Sequence, residues 1–132
     1  MVTELLLKFV FEASHSLADY EEIHPHIWKL ELGIKGKPID GRIVDMVELR
    51  AKVQKIVDQL QNTLLNENSY VSDAVREFPT CETLSQFLYD ELQVLLGREI
   101  LIHHPSVYLS GVMVALCSMN GAEIGAARLS QT

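Results

Sequence analysis

Two stretches near the start of the chain alternate apolar and polar residues, a period of two that strands satisfy and helices do not. In the first, Leu5, Leu7, Phe9, Phe11, Ala13 and His15 share one side, while Lys8, Glu12 and Ser14 take the other. In the second, His24, His26, Trp28, Leu30, Leu32 and Ile34 share a side. The pattern predicts a strand from about Val2 to Ala13 and another from about His26 to Lys35, joined by a polar loop over 16–23. Three imidazoles then stand at the tips of two buried faces. Neutral imidazole is a common metal ligand, and three of them without a fourth protein ligand leave a position for water or substrate, as catalytic zinc requires. A histidine ending an apolar face also serves as a hydrogen-bonded core residue, so the spacing alone leaves both readings open.

The remaining sequence reads as one domain over residues 1–132, long enough to bury a core without staples. Its formal net charge of −7 opposes phosphate backbones and anionic lipid, so neither nucleic acid nor a membrane is an expected partner. The apolar run at the start alternates, carries Glu4 and Lys8 and lacks a basic leader, which argues against a signal peptide or a membrane span. A cytoplasmic location is expected. Cys81 and Cys117 do not make a disulfide framework and are read as reduced.

Beyond Gly36 the turn-rich run to Gly41 ends the second strand. Leu49, Val53, Ile56, Val57, Leu60 and Leu64 recur at helical spacing and predict a helix from Val47 to Leu65, capped by Asp45. Residues 66–78 read as irregular, with a short helical turn around Val71 to Val75. Pro79-Thr80 opens a second helix, with Thr80 as cap, Glu82 in the first turn and Gly97 as its stop. An apolar piece at Ile100–Ile102 and the break His103-His104-Pro105 lead to a strand from Val107 to Cys117, an Asn120-Gly121 hairpin and a last strand from Glu123 to Leu129. The expected class is α+β: a ββααββ order giving a four-stranded antiparallel sheet with two helices on one face.

Several of these stretches resemble, in order, the motifs of the 6-pyruvoyl-tetrahydropterin synthase and 6-carboxy-tetrahydropterin synthase group. Phe11-Glu12-Ala13-Ser14-His15-Ser16-Leu17 is similar to its first histidine motif, and His24-Pro25-His26 to its H-G-H. Gly41 through Leu49 looks like its entry into the first helix, and Leu65-Asn66-Glu67 and Pro79-Thr80-Cys81-Glu82 resemble its "L-N-E" and "P-T-x-E" signatures. The resemblance implies the tunnelling fold (T-fold), zinc held by His15, His24 and His26, a homo-oligomer (hexamer or tetramer) in which sheets join into a barrel, and active sites between subunits. It implies a small-molecule substrate, a reduced pterin or a relative of one.

The catalytic equipment differs from the pattern. The family's cysteine aligns with Tyr20, a phenol that is a poor base at neutral pH. Its Asp-His pair aligns with Gln61 and Asn62, amides that cannot carry a proton. Its pterin-anchoring glutamate has no counterpart around Leu109, Ser110 and Gly111. Glu21 and Glu22, just before the metal ligands, are the candidate replacement acids; His103 or His104 as base and Cys81 as thiolate are further candidates. The expectation is a zinc-dependent lyase or isomerase with altered activity. The alternatives are a non-catalytic zinc-binding paralogue and a zinc enzyme acting outside the pterins.

Overall fold

The computed structural model describes residues 2–18, 21–99 and 106–131. Strands β1 (Thr3–His15) and β2 (His24–Gly36) form a long antiparallel pair in which His15 stands opposite His24 and Ala13 opposite His26. Because odd positions of β1 face even positions of β2, both predicted apolar faces fall on one side of the sheet. Helix α1 (Met46–Asp58), strand β3 (Thr63–Leu64), a 3-10 turn (Leu65–Glu67), helix α2 (Asp73–Glu77) and helix α3 (Cys81–Glu99) follow, and β4 (Tyr108–Cys117) and β5 (Glu123–Ser130) close the order. The strands lie in the order β3-β1-β2-β4-β5.

The α+β class and the ends-of-chain strands are as expected, but the sheet has five strands rather than four. The addition is β3, two residues pairing in parallel with Ala13 and Ser14; a segment so short carries no period to read. Among the described residues there are three α-helices rather than two. The first ends at Asp58, short of Leu65, because Asn62 adopts a left-handed φ of 59° and its N–H donates to the Glu12 carbonyl at 2.7 Å, drawing the chain onto β1. The third runs through Gly97 to Glu99, whose carboxylate meets Lys52 of α1 at 2.8 Å and ties down the last turn. The expected piece at 100–102 and the break at 103–105 lie outside the described residues.

Asp45 caps α1 by accepting from Glu48 N–H, and Thr80 and Thr83 exchange side-chain to backbone bonds at the start of α3. Buried Leu49, Val53 and Val57 of α1 and Leu84, Leu88, Leu92 and Leu96 of α3 cover the apolar sheet face made by Phe9, Phe11, Trp28, Leu30 and Leu32. At one end of that face stand the histidines of the β1–β2 pair. No helix among the described residues is long and apolar enough to cross a membrane.

Candidate metal centre

His15 is almost wholly buried at 2% exposure, and His24 and His26 are partly open. The three rings meet nearly edge to face, with centroids 4.8 to 4.9 Å apart, and each offers one ligand atom within 4.8 Å of the others. Each Nδ1 sits against a backbone carbonyl: His15 on Pro79 at 2.8 Å, His24 on Glu22 at 2.8 Å, His26 on Cys117 at 3.0 Å. A carbonyl oxygen can only accept, so each Nδ1 carries the proton and each Nε2 carries a free lone pair. This tautomer pattern, with the ring orientation fixed from behind, is that of metal-ligating histidines. The donor set of three neutral nitrogens therefore fits a divalent ion such as zinc.

Trp28 floors the cluster. Its ring lies 5.3 Å from that of His15, stacks on Phe11 at 6.2 Å, and its Nε1–H donates to the Ala13 carbonyl at 3.0 Å. Burial holds the His15 imidazole below its ordinary value, the Pro79 carbonyl opposes that, and the neighbouring imidazoles add to it. The buried member of the trio is thus kept neutral, the form that ligates.

Of the two candidate acids, Glu21 is brought to the cluster and the Glu22 side chain is not. Glu21 Oε1 lies 3.5 Å from His24 Nε2, and its Oε2 accepts from the Leu17 N–H at 3.2 Å. Glu22 is exposed and takes part through its carbonyl. Beside the loop lies a recess of about 280 Å³ whose lining includes Ser16, Glu21, Asn66, Glu67 and Glu77. Tyr20, His103 and His104 lie outside the described residues. Cys81 is buried and its thiol is pushed up to about 11, chiefly by burial, so it is a small buried residue and the candidate thiolate at this helix N-terminus is not favoured.

Gln61 and Asn62 are occupied elsewhere: Gln61 Oε1 accepts the Glu12 N–H at 3.1 Å, and Gln61 Nε2 donates to Asn62 Oδ1 at 3.2 Å. Leu109 to Gly111 contain no acid, yet Ser110 donates to the Glu4 carboxylate at 2.5 Å, so an acid reaches that strand from β1 across Gly33. Glu4 and His15 stand at opposite ends of β1, roughly 35 Å apart at strand spacing, so one small molecule cannot touch both within a chain. The carbonyls of Pro79 and Cys117 were not legible as site parts, because backbone partners leave no side-chain signature.

The sequence matches the 6-pyruvoyl tetrahydropterin synthase family over residues 4–118. The chain belongs to this family. It is similar to the dihydroneopterin monophosphate aldolase of Pyrococcus furiosus, 22% identical over 110 residues, covering 82% of this chain and 90% of that one. A protein of Archaeoglobus fulgidus with the provisional name 6-carboxy-5,6,7,8-tetrahydropterin synthase is 31% identical over 86 residues, 62% of this chain and 69% of that one. Among solved structures, 6-pyruvoyl tetrahydropterin synthase from Plasmodium vivax superposes with a TM-score of 0.68 at 18% identity over 99% of both chains. A variant of that protein described as a catalytic-residue mutant has a glutamate changed to cysteine. The likeness to this solved structure shows that the chain has the tunnelling fold.

Proposed function

We propose that the chain is a zinc-dependent lyase or isomerase acting on the side chain of a reduced pterin or a related small molecule, with Glu21 as its proton acceptor. The observation that carries this reading is the coincidence of three back-bonded imidazoles with a carboxylate 3.5 Å from one of their Nε2 atoms. Zinc, when bound, polarises substrate oxygens and makes the adjacent C–H or O–H more acidic. His15, His24 and His26 would hold it through Nε2. The Leu17 N–H fixes one oxygen of Glu21 and leaves the other free toward the histidines to take a proton. That a glutamate is a catalytic residue in the Plasmodium vivax relative supports an acid in this role.

Two further features belong to the same reading. The sheet has unpaired edges, which supports a homo-oligomer, a hexamer or tetramer, as the working unit. Both cysteines remain thiols, which suits the cytoplasm. A non-catalytic metal-binding role is the second reading, favoured by Gln61 and Asn62, which sit where the family's Asp-His pair aligns and whose amides bond to each other and, through Gln61, to the Glu12 N–H.

The test is a chromatographic product assay on dihydroneopterin and its phosphates with zinc-loaded wild type, Glu21→Gln and Glu22→Gln. Turnover should fall about 10²- to 10⁴-fold in Glu21→Gln, the worth of one positioned general base, and stay within about twofold in Glu22→Gln. Wild type without turnover on any reduced pterin would favour the second reading.

A further inference from the structure

Asn66 lies in the 3-10 turn directly after β3, fifty residues from the loop that carries Glu21. Its side chain grips one residue of that loop from two sides. Oδ1 accepts the Ser16 N–H at 2.9 Å, and Nδ2 donates to the Ser16 carbonyl at 2.8 Å and to the Arg76 carbonyl at 3.3 Å. The parallel ladder pairs Ala13 with Thr63 and Ser14 with Leu64, and then the second segment turns away. At Ser16 the Asn66 amide supplies the donor and acceptor that a strand backbone would have supplied.

Ser16 follows the ligand His15 and is the root of the loop. Its hydroxyl bonds to the carbonyls of Ala18 at 2.8 Å and Glu21 at 3.0 Å, and the Glu21 N–H donates to the Ala18 carbonyl at 2.9 Å. The Glu21 carboxylate then folds back onto the Leu17 N–H. Among the described residues, the hydrogen bonds that hold Glu21 run to residues 16–18, its carboxylate also meets His24, and Ser16 is held from outside the loop by Asn66. Asn66 and Glu21 also line the same recess.

From this geometry we infer that Asn66 is the positioning residue for Glu21, clamping Ser16 so that the loop aims the carboxylate at His24. Only a side-chain amide has one acceptor and two donors in one plane. Aspartate keeps the shape but loses both donors and sets an anion against the Ser16 carbonyl. Zinc retention should not depend on the clamp, because the three histidines are oriented by Pro79, Glu22 and Cys117. The inference rests on the reading of Glu21 as the acceptor beside the metal.

The experiment compares wild type, Asn66→Asp and Ser16→Ala by zinc content, by amide exchange with and without zinc, and by turnover. Both variants should bind one zinc per chain. In both, the Leu17 amide should exchange about five- to tenfold faster, as expected for weakening one ordinary hydrogen bond, while α3 amides keep their protection. On a reduced pterin, kcat should drop toward that of Glu21→Gln with KM unchanged, and Asn66→Asp combined with Glu21→Gln should be no slower than Glu21→Gln alone. Unchanged Leu17 exchange, losses that multiply in the double variant, or loss of zinc would overturn the inference. Turnover indifferent to Glu21 would overturn only the assignment of the base, since the exchange measurement reads the clamp without substrate. Should Asn66→Asp fail to fold, Asn66→Gln, which keeps the amide but displaces it by one methylene, carries the same readouts, since Ser16→Ala leaves both Ser16 backbone groups to Asn66 and reports only the bonds inside the loop.

Discussion

The Nδ1 atom of His15 lies 2.8 Å from the carbonyl oxygen of Pro79, a residue 64 positions further along the chain. This bond joins the tip of β1 to the segment that opens α3, and it fixes which nitrogen of the buried imidazole faces the cluster. The candidate ligands are therefore oriented before any ion arrives.

With the nitrogens pre-aimed, metal binding should stabilise the native state by mass action. Protein purified without a histidine tag should contain about one zinc per chain, and adding zinc to stripped protein should raise Tm. His24→Ala combined with His26→Ala should abolish both effects. Stoichiometric zinc surviving in that double variant would show that the ion sits elsewhere.

In stripped protein, acid should destabilise the fold through His15. Its imidazole is held below the ordinary 6.5 mainly by burial, with the His26 and His24 charges adding to the shift and Pro79 and Glu21 opposing it. The unfolded chain therefore takes up a proton near 6.5 while the folded chain resists. Stability from this group is fully present above 6.5 and is lost as pH falls below it toward the folded value. Urea midpoints at pH 7.5 and 5.5, compared with His15→Gln, measure it; an equal pH slope in the variant would assign the loss to other groups.

Trp28 is the sole tryptophan, so its environment can be read directly. Trp28→Phe removes the indole N–H that donates to the Ala13 carbonyl and should cost about 0.5–1.5 kcal/mol for that hydrogen bond. Denaturant titration followed by circular dichroism checks this. Stability within a few tenths of wild type would mean that water replaces the indole N–H.

Both sheet edges bear on assembly. On β1 the Lys8 carbonyl is taken by Arg50, and both backbone groups of Glu12 are taken by the 61–62 segment, so the open part of that edge lies toward Glu4. The opposite edge is β5, where Ile124 is exposed. Light scattering should show a homo-oligomer that Ile124→Lys weakens. A wild-type monomer at micromolar concentration would exclude an active site shared between copies.

The parts of this molecule that were legible in sequence are those written by side-chain periodicity. The alternation from Leu5 to His15 and from His24 to Ile34 placed all three imidazoles on one face, and the structure pairs them as that alternation requires. Asp45 and Thr80 marked helix starts because capping uses side-chain oxygens. The end of α1 was not legible, since it depends on a distant carbonyl at Glu12 accepting from Asn62. Gly97 was a misleading stop, because Lys52 and Glu99 hold the turn beyond it. Glu21 and Glu22 were indistinguishable as neighbours in a polar loop; only the fold shows that Leu17 turns one of them toward His24.

The carbonyls behind the three histidines also set an order of events. His24 is backed by its own loop, but His15 waits for residue 79 and His26 for residue 117, so the cluster is complete only after α3 and β4 have docked. From these contacts we expect zinc to meet a chain that has already passed its folding barrier. Interactions absent from the transition state slow unfolding and leave the folding rate unchanged. The ion should act as a latch on this fold rather than as its nucleus: loaded protein unfolds more slowly, and stripped protein refolds as fast as protein refolded with zinc present.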